Sequence, residues 1–260
     1  MRTILALDTS SDGCSVALNA DGEVTALFDI APREHTRKLL PMVKRLLTQV
    51  EVSLTEIDAI AFGCGPGAFT GLRIAAGVAQ GLAYGSDLPV IEISTLDALA
   101  LQSVEKVQGG LSPHPLEWYA AVAVDARMSE VYWSLYQVSI RDCPPGRLDR
   151  VSLTRLSGPS VTSPESVPVD ESFFDSLSGS KTGQSCPLIA MGDGWKNYRD
   201  SLQCRLRQPV DAIFSDTVAR AAEIACLAYS QQGQNSSKAP EKASPVYLRD
   251  EVTWKKLPGR

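Results

Sequence analysis

The run Gly63-Cys64-Gly65-Pro66-Gly67-Ala68-Phe69-Thr70-Gly71-Leu72-Arg73 places four glycines and a proline between an apolar strand and an apolar helix. Glycine has no side chain to hold off a ligand or a neighbouring element, and the free amides of a helix N-terminus attract anions. Such a run serves as a phosphate cradle or as a packing device, and spacing alone leaves both open. Two phosphate motifs are excluded. A P-loop needs Lys and Ser/Thr after its last glycine, where Leu72-Arg73 stand, and the dinucleotide fingerprint needs its third glycine one residue before Gly71.

Other chemistry-bearing residues point to structure. The two histidines, His35 and His114, lie far apart, and no Ser or Cys in a nucleophile motif accompanies His35, which suits a helix start better than a base. Six cysteines without a C-x-x-C pair read as reduced, mostly buried thiols and offer no zinc spacing. Arg127 and Glu130 form either a catalytic pair or an exposed ion pair, the second being the commoner arrangement. Trp118, Tyr119, Tyr132 and Trp133 would stack on a base or fill a core, and their strand context favours the core. The tail Trp254-Lys255-Lys256-Leu257-Pro258 is basic and aromatic, fitting RNA, a partner or a solvated terminus.

The elements around these residues are legible in outline. With 260 residues, 44% of them hydrophobic, the chain buries an ample core in one large domain or two small lobes. A net charge of -5 excludes nucleic-acid binding through a global positive field. No apolar run approaches a bilayer span, and Met1-Arg2-Thr3 leads straight into a strand, so a cytoplasmic location without membrane contact is expected. Residues 3–7 read as a buried strand ending at Asp8, and 14–18 and 23–30 as a hairpin around Asn19-Ala20-Asp21-Gly22. Helical spacing runs over 36–50, where Pro41 must sit near the first turn or kink the helix. A strand at 59–62, a helix at 71–84 with Gly77, Gly81 and Gly85 at four-residue intervals, a strand at 88–93 and a helix from Thr95 follow. A fainter echo comes next: strand 120–125 ending in aspartate, strand 131–138, strand and turn 188–195, and helix 216–229 with Asp216 as its cap. Residues 143–183 read as irregular. The division expected is 1–103, 104–230, and a linker with tail at 231–260, in an α/β fold of mixed sheets covered by helices.

Asp8-Thr9-Ser10, Glu34-His35-Thr36-Arg37-Lys38-Leu39-Leu40-Pro41, the glycine run 65–73, Asp125-Ala126-Arg127 with Glu130-Val131-Tyr132-Trp133, and Pro245-Val246-Tyr247-Leu248-Arg249 together resemble the TsaB (YeaZ) family. The likeness runs nearly end to end, the stretch 143–183 excepted. It implies a two-lobed actin-like ATPase fold (ASKHA, RNase H-like) with a reduced second lobe. It also implies a non-catalytic scaffold that activates TsaD in forming threonylcarbamoyladenosine beside the anticodon of tRNA. The alternative within the superfamily is a nucleotide-binding phosphotransferase. A metallopeptidase is opposed by Thr95 and Leu99, which stand where TsaD carries the two histidines of its metal motif.

The resemblance carries further expectations. TsaD is the partner in a heterodimer, TsaE an associated ATPase, and a homodimer forms when TsaD is absent; tRNA is reached only through the complex. The family's helical-bundle interface maps onto Thr36, Leu40, Val43, Lys44 and Leu47 of one helix and Phe69, Thr70, Arg73, Ile74, Gly77, Val78 and Gly81 of the next. No catalytic residue, metal or intrinsic cofactor is implied, with ATP or ADP left as an option at a subunit interface. Superfamily members wrap phosphates in glycine turns and hold magnesium through an aspartate. Asp8, Thr9, Ser10 and Asp125 occupy those positions, so a weak nucleotide site is placed there, although Asp125-Ala126-Arg127-Met128 lacks the glycine.

Overall fold

In β1 (Thr3–Asp8) all six residues are buried. Because strand side chains alternate, Leu5 and Leu7 enter one apolar core while Ile4 and Ala6 enter another, so this strand is covered on both faces. It belongs to a computed structural model that describes residues 2–110, 115–140, 148, 151–170, 173, 186–231 and 237–249. β2 (Gly13–Ala20) and β3 (Glu23–Ile30) continue antiparallel from β1. Asp21 and Gly22 link them with φ of 49° and 91°, and Gly22 N–H donates to Asn19 Oδ1 at 2.8 Å, the twist a two-residue hairpin prefers.

β4 (Ala59–Gly65) and β5 (Val90–Ser94) then add parallel to β1, giving the order β5-β4-β1-β2-β3. The second half repeats this plan: β6 (Glu117–Arg127), β7 (Glu130–Ile140) and β8 (Val151–Thr162) form a meander, and β9 (Leu188–Met191) and β10 (Ala212–Phe214) add parallel, giving β10-β9-β6-β7-β8. Equal strand order in two sheets is the duplicated, two-lobed RNase H-like architecture.

Helices α1 (His35–Gln49) and α2 (Phe69–Gly85) cover the outer face of the first sheet. Helix α3 (Thr95–Gly110) contacts strands of both sheets, and α4 (Gly194–Leu206) packs on β6. Helix α5 (Ala221–Gln231) packs on β1, β2 and β4. The core between the lobes therefore mixes Ile4 and Ala6 with Leu99, Trp118, Tyr136 and Ile224. A two-residue strand, β11 (Ser237–Lys238), joins the free edge of β5. Thus α5, which begins within 104–230 and ends at Gln231, and β11, within 231–260, both return to the first sheet.

Four local expectations change. Pro41 lies inside α1, beyond its first turn, and the helix stays continuous to Gln49. The C-terminal helix begins at Ala221, not near Asp216: Thr217 donates its hydroxyl to Phe214 O and accepts Gly192 N–H, so 215–217 form the turn that ties β10 to β9. Part of the stretch read as irregular is the strand β8, whose Gly158 (φ +86°) passes so close to β7 that a Cβ would lie 2.4 Å from Trp133 O. Residues 143–147, 149–150, 171–172 and 174–183 lie outside the described residues. Helix α4 was not expected, although Trp195, Tyr198, Leu202 and Leu206 carry helical spacing.

Candidate functional site

The glycine run folds onto the turn that ends β1. A Cβ at Gly71 would lie 1.8 Å from Thr9 O, and one at Gly67 would lie 2.5 Å from Ser10 O. Ala68 N–H donates to Ser10 O at 2.7 Å, and the Thr9 hydroxyl donates to Gly71 O at 2.7 Å. The bare backbone therefore brings the start of α2 against residues 9–10. Asp8, Thr9 and Ser10 are all buried, and the protein's own loop occupies the space over this turn. Of the two uses open for the run, packing is the one the geometry displays.

Asp8 follows the alternation of β1 into the core between the lobes. Its Oδ1 accepts Ser10 N–H at 3.1 Å and the Ser10 hydroxyl at 3.0 Å, while its Oδ2 has no partner. Only glycine fits opposite, since a Cβ at Gly63 would lie 2.1 Å from Oδ2. Burial, with a smaller push from Glu223, raises Asp8 to about 7 against the pull of the Ser10 hydrogen bonds. Glu223 on α5 is buried too, which raises its pKa, but Arg220 holds it at 2.6 Å and also reaches Glu105 on α3 at 2.6 Å.

Asp125 lies elsewhere. It accepts Arg127 N–H at 2.7 Å and Asn197 Nδ2 at 3.3 Å, while its own N–H donates to Asp193 at 2.9 Å. Two amides of this turn, those of Asp125 and Arg127, are thereby satisfied by carboxylates. Arg127, Met128 and Ser129 all have positive φ, so this turn is left-handed without glycine. The adjoining cleft of about 320 Å³ is lined by Asp125, Asp193, Lys196 and Thr217 among others, and by none of Asp8, Thr9 or Ser10. The four residues assigned to a nucleotide site thus fall into a closed turn and a separate cleft. Arg127 and Glu130 are not paired: Arg127 lies 3.8 Å from Asp125, whereas Glu130 pairs with Arg249.

Thr95 donates its hydroxyl to Pro66 O at 2.5 Å, and Leu99 is buried between the lobes. His35 is buried at the start of α1, with Nε2 unpartnered, and His114 lies outside the described residues. Trp118, Tyr119 and Trp133 are core residues and Tyr132 is half-buried. Among the described residues no cluster of His, Cys, Asp or Glu could hold a metal, and the five described cysteines form no disulfide with one another, with Cys204 exposed and Cys186 half-buried.

The residues assigned to an interface do come together on the outer face of α1 and α2. Thr36, Lys44, Thr70, Arg73, Gly77 and Gly81 are exposed, and Leu47, Ile74 and Val78 are half-buried. Leu40 is 49% exposed and Phe69 54%, both high for large apolar side chains, and Tyr84 beside them reaches 79%. Val43 departs from the set: at 4% exposure it belongs to the core beneath α1. Added Cβ atoms at Gly77, Gly81 and Gly85 would meet nothing within 4 Å, so none of the described residues packs against these three positions. Beside it an apolar groove of about 620 Å³ opens between Leu40, Leu47, Leu54 and Leu82. Tyr84 was missed in the sequence, though it lies three residues after Gly81 on the same helix face.

The family model described as "TsaD: tRNA N6-adenosine threonylcarbamoyltransferase" matches residues 29–256. The tRNA threonylcarbamoyladenosine biosynthesis protein TsaB of Escherichia coli (strain K12) is 39% identical over 99% of this chain and 99% of its own. The TsaB protein of Haemophilus influenzae is 39% identical over 99% and 98%. The solved structure of YeaZ from Pseudomonas aeruginosa is 36% identical, covers 95% of this chain and 100% of its own, and superposes with a TM-score of 0.75. With identity at this level over both full lengths, and the same two-lobed fold, the chain belongs to the TsaB (YeaZ) family.

Proposed function

We propose that this protein is a non-catalytic subunit that docks TsaD through the outer face of α1 and α2 and activates it in forming threonylcarbamoyladenosine on tRNA. The observation that carries the reading is the contrast between two glycine sets in one segment. Gly67 and Gly71 close the turn where a phosphate would bind, whereas Gly77 and Gly81 leave a bare ridge among exposed apolar side chains. The family supplies the remaining partners: TsaE as an ATPase, a second copy of the chain when TsaD is absent, and tRNA through the complex. A cytoplasmic location accords with this role. None of the described helices is long and apolar enough to cross a membrane. Any ATP or ADP is placed at a subunit interface, not in the closed turn.

Replacing Gly77 or Gly81 by leucine tests the docking face. Overpacking at a close interface typically costs about 1–3 kcal/mol, which corresponds to roughly tenfold weaker association or more. Each variant should stay folded, because a Cβ added at either position meets none of the described residues within 4 Å, yet bind TsaD poorly and fail to support tRNA modification in a reconstituted reaction. Ser152→Leu, exposed on β8 of the other lobe, is the control expected to bind normally. Binding equal to wild type with a lowered unfolding midpoint would place the ridge inside the fold and refute the reading.

The isolated protein is further expected to release no phosphate from ATP and to carry no stoichiometric zinc or iron. Steady-state turnover lost on Asp8→Ala or Asp125→Ala would instead identify a phosphotransferase.

A further inference from the structure

The C-terminal segment 237–249 crosses the glycine run and links the two lobes as a strap. Lys238 pairs with Glu92 at 2.6 Å, Gln80 Nε2 donates to Ala243 O at 2.7 Å, and Val246 N–H donates to Cys64 O at 2.7 Å. Gly65, at φ +123°, makes room, since a Cβ there would lie 2.7 Å from Val246 O. Tyr247 then settles on the first turn of α2: its ring centroid is 5.3 Å from that of Phe69, and its hydroxyl accepts Arg73 Nε–H at 3.0 Å. The Arg73 guanidinium lies 3.8 Å over the Phe69 ring. Two residues on, Arg249 pairs with Glu130, the first residue of β7, and lies 3.2 Å from the Met128 sulfur in the β6–β7 turn of the second lobe.

Val246 and Tyr247 are each 42% exposed, and the contact of the Tyr247 ring with Phe69 carries the apolar surface of α2 onto the strap. We propose that the Glu130–Arg249 pair positions the strap for docking, so that TsaD contacts Tyr247 and Val246 together with Phe69 and Arg73, and the second lobe thereby sets the shape of a surface carried by the first. This inference rests on the docking role proposed for α1 and α2. A partly exposed ion pair adds little to global stability, so its positioning effect can be separated from folding. Continuity with the α2 face is what selects TsaD as the occupant.

Charge reversal tests it in the full chain. Glu130→Arg and Arg249→Glu are each expected to weaken TsaD affinity at least fivefold, to speed hydrogen exchange of the Val246 amide, and to leave the unfolding midpoint near wild type. The double variant Glu130→Arg/Arg249→Glu should recover both affinity and slow exchange, and Tyr247→Ala should lose affinity with exchange less affected. Faster exchange with unchanged affinity would overturn the proposal, as would unchanged exchange in both single variants. Gly77→Leu measured in parallel separates the two ideas: if it alone weakens binding, the helix face stands and the strap fails. If only the strap variants weaken binding, the strap and the first turn of α2 carry the contact and the ridge at Gly77 and Gly81 lies outside it.

Discussion

Gly71→Ala is expected to leave little folded protein, although it adds a single methyl group in the first turns of a helix where alanine ordinarily helps. The new Cβ would lie 1.8 Å from Thr9 O; the Cβ is fixed by its own backbone and the other side of the clash is main chain, so no rotamer relieves it. Thr9 follows β1 at the centre of the first sheet, and Gly71 is fixed by the hydrogen bond its carbonyl accepts from the Thr9 hydroxyl, so neither can retreat without breaking the other's contacts. Overpacking of ordinary side chains costs about 1–3 kcal/mol, and a clash of a Cβ with main chain that no rotamer change relieves should exceed about 4 kcal/mol, the exceptional end of single substitutions. The same change six residues on should act oppositely. Gly77→Ala meets nothing within 4 Å and gains helix propensity, about 0.8–1 kcal/mol. Denaturant midpoints of the two variants should move in opposite directions. A Gly71→Ala midpoint close to wild type would show that the start of α2 does not bear on the β1 turn.

Asp8→Asn should stabilise the protein at neutral pH and remove much of its pH dependence. In the unfolded chain this carboxyl releases its proton near 3.8, whereas in the folded protein it holds the proton up to about 7. Between those values folding takes up a proton, so this group's contribution makes stability fall as pH rises, by about 1.4 kcal/mol per pH unit. The penalty is absent below the unfolded value and complete above the folded one, where it reaches about 4 kcal/mol at most. Asparagine keeps an oxygen for Ser10, carries no charge to desolvate, and presents its amide toward the side where Oδ2 now lacks a partner. The neighbouring Glu223, Arg220 and Glu105 remain paired among themselves. Unfolding midpoints at pH 5 and pH 7.5 should differ less in Asp8→Asn than in wild type. Equal slopes in the two proteins would exclude Asp8 as the titrating group.

The local elements were legible because their signals are local. The hairpin at Asp21-Gly22, the buried strand ending at Asp8 and the amphipathic α1 each follow from residue types within a few positions of one another. The apolar face of α1 and α2 was legible through its glycines and its likeness to the family motifs. Misreadings arose where a distant contact decided the outcome. Strand β8 exists because β7 offers its edge to a Ser- and Pro-containing stretch with little pattern of its own, and the last helix starts at Ala221, whose N–H meets Ser15 Oγ at 2.9 Å, 206 residues away in sequence.

The sequence by itself determined the family, the strand order of the first sheet and the lack of a glycine in the second-lobe turn, because each is written in residue types at short range, whereas the second sheet was completed by β8 and β10, which the sequence did not show. Only the tertiary structure decided which glycines pack and which stay bare, that Asp8 is buried with one carboxylate oxygen unpartnered, and that Glu130 pairs with Arg249 and not with Arg127. The physical reason is that close approach, desolvation and charge pairing depend on distances between segments far apart in the chain, and those distances exist only once both sheets and the helices between them are in place.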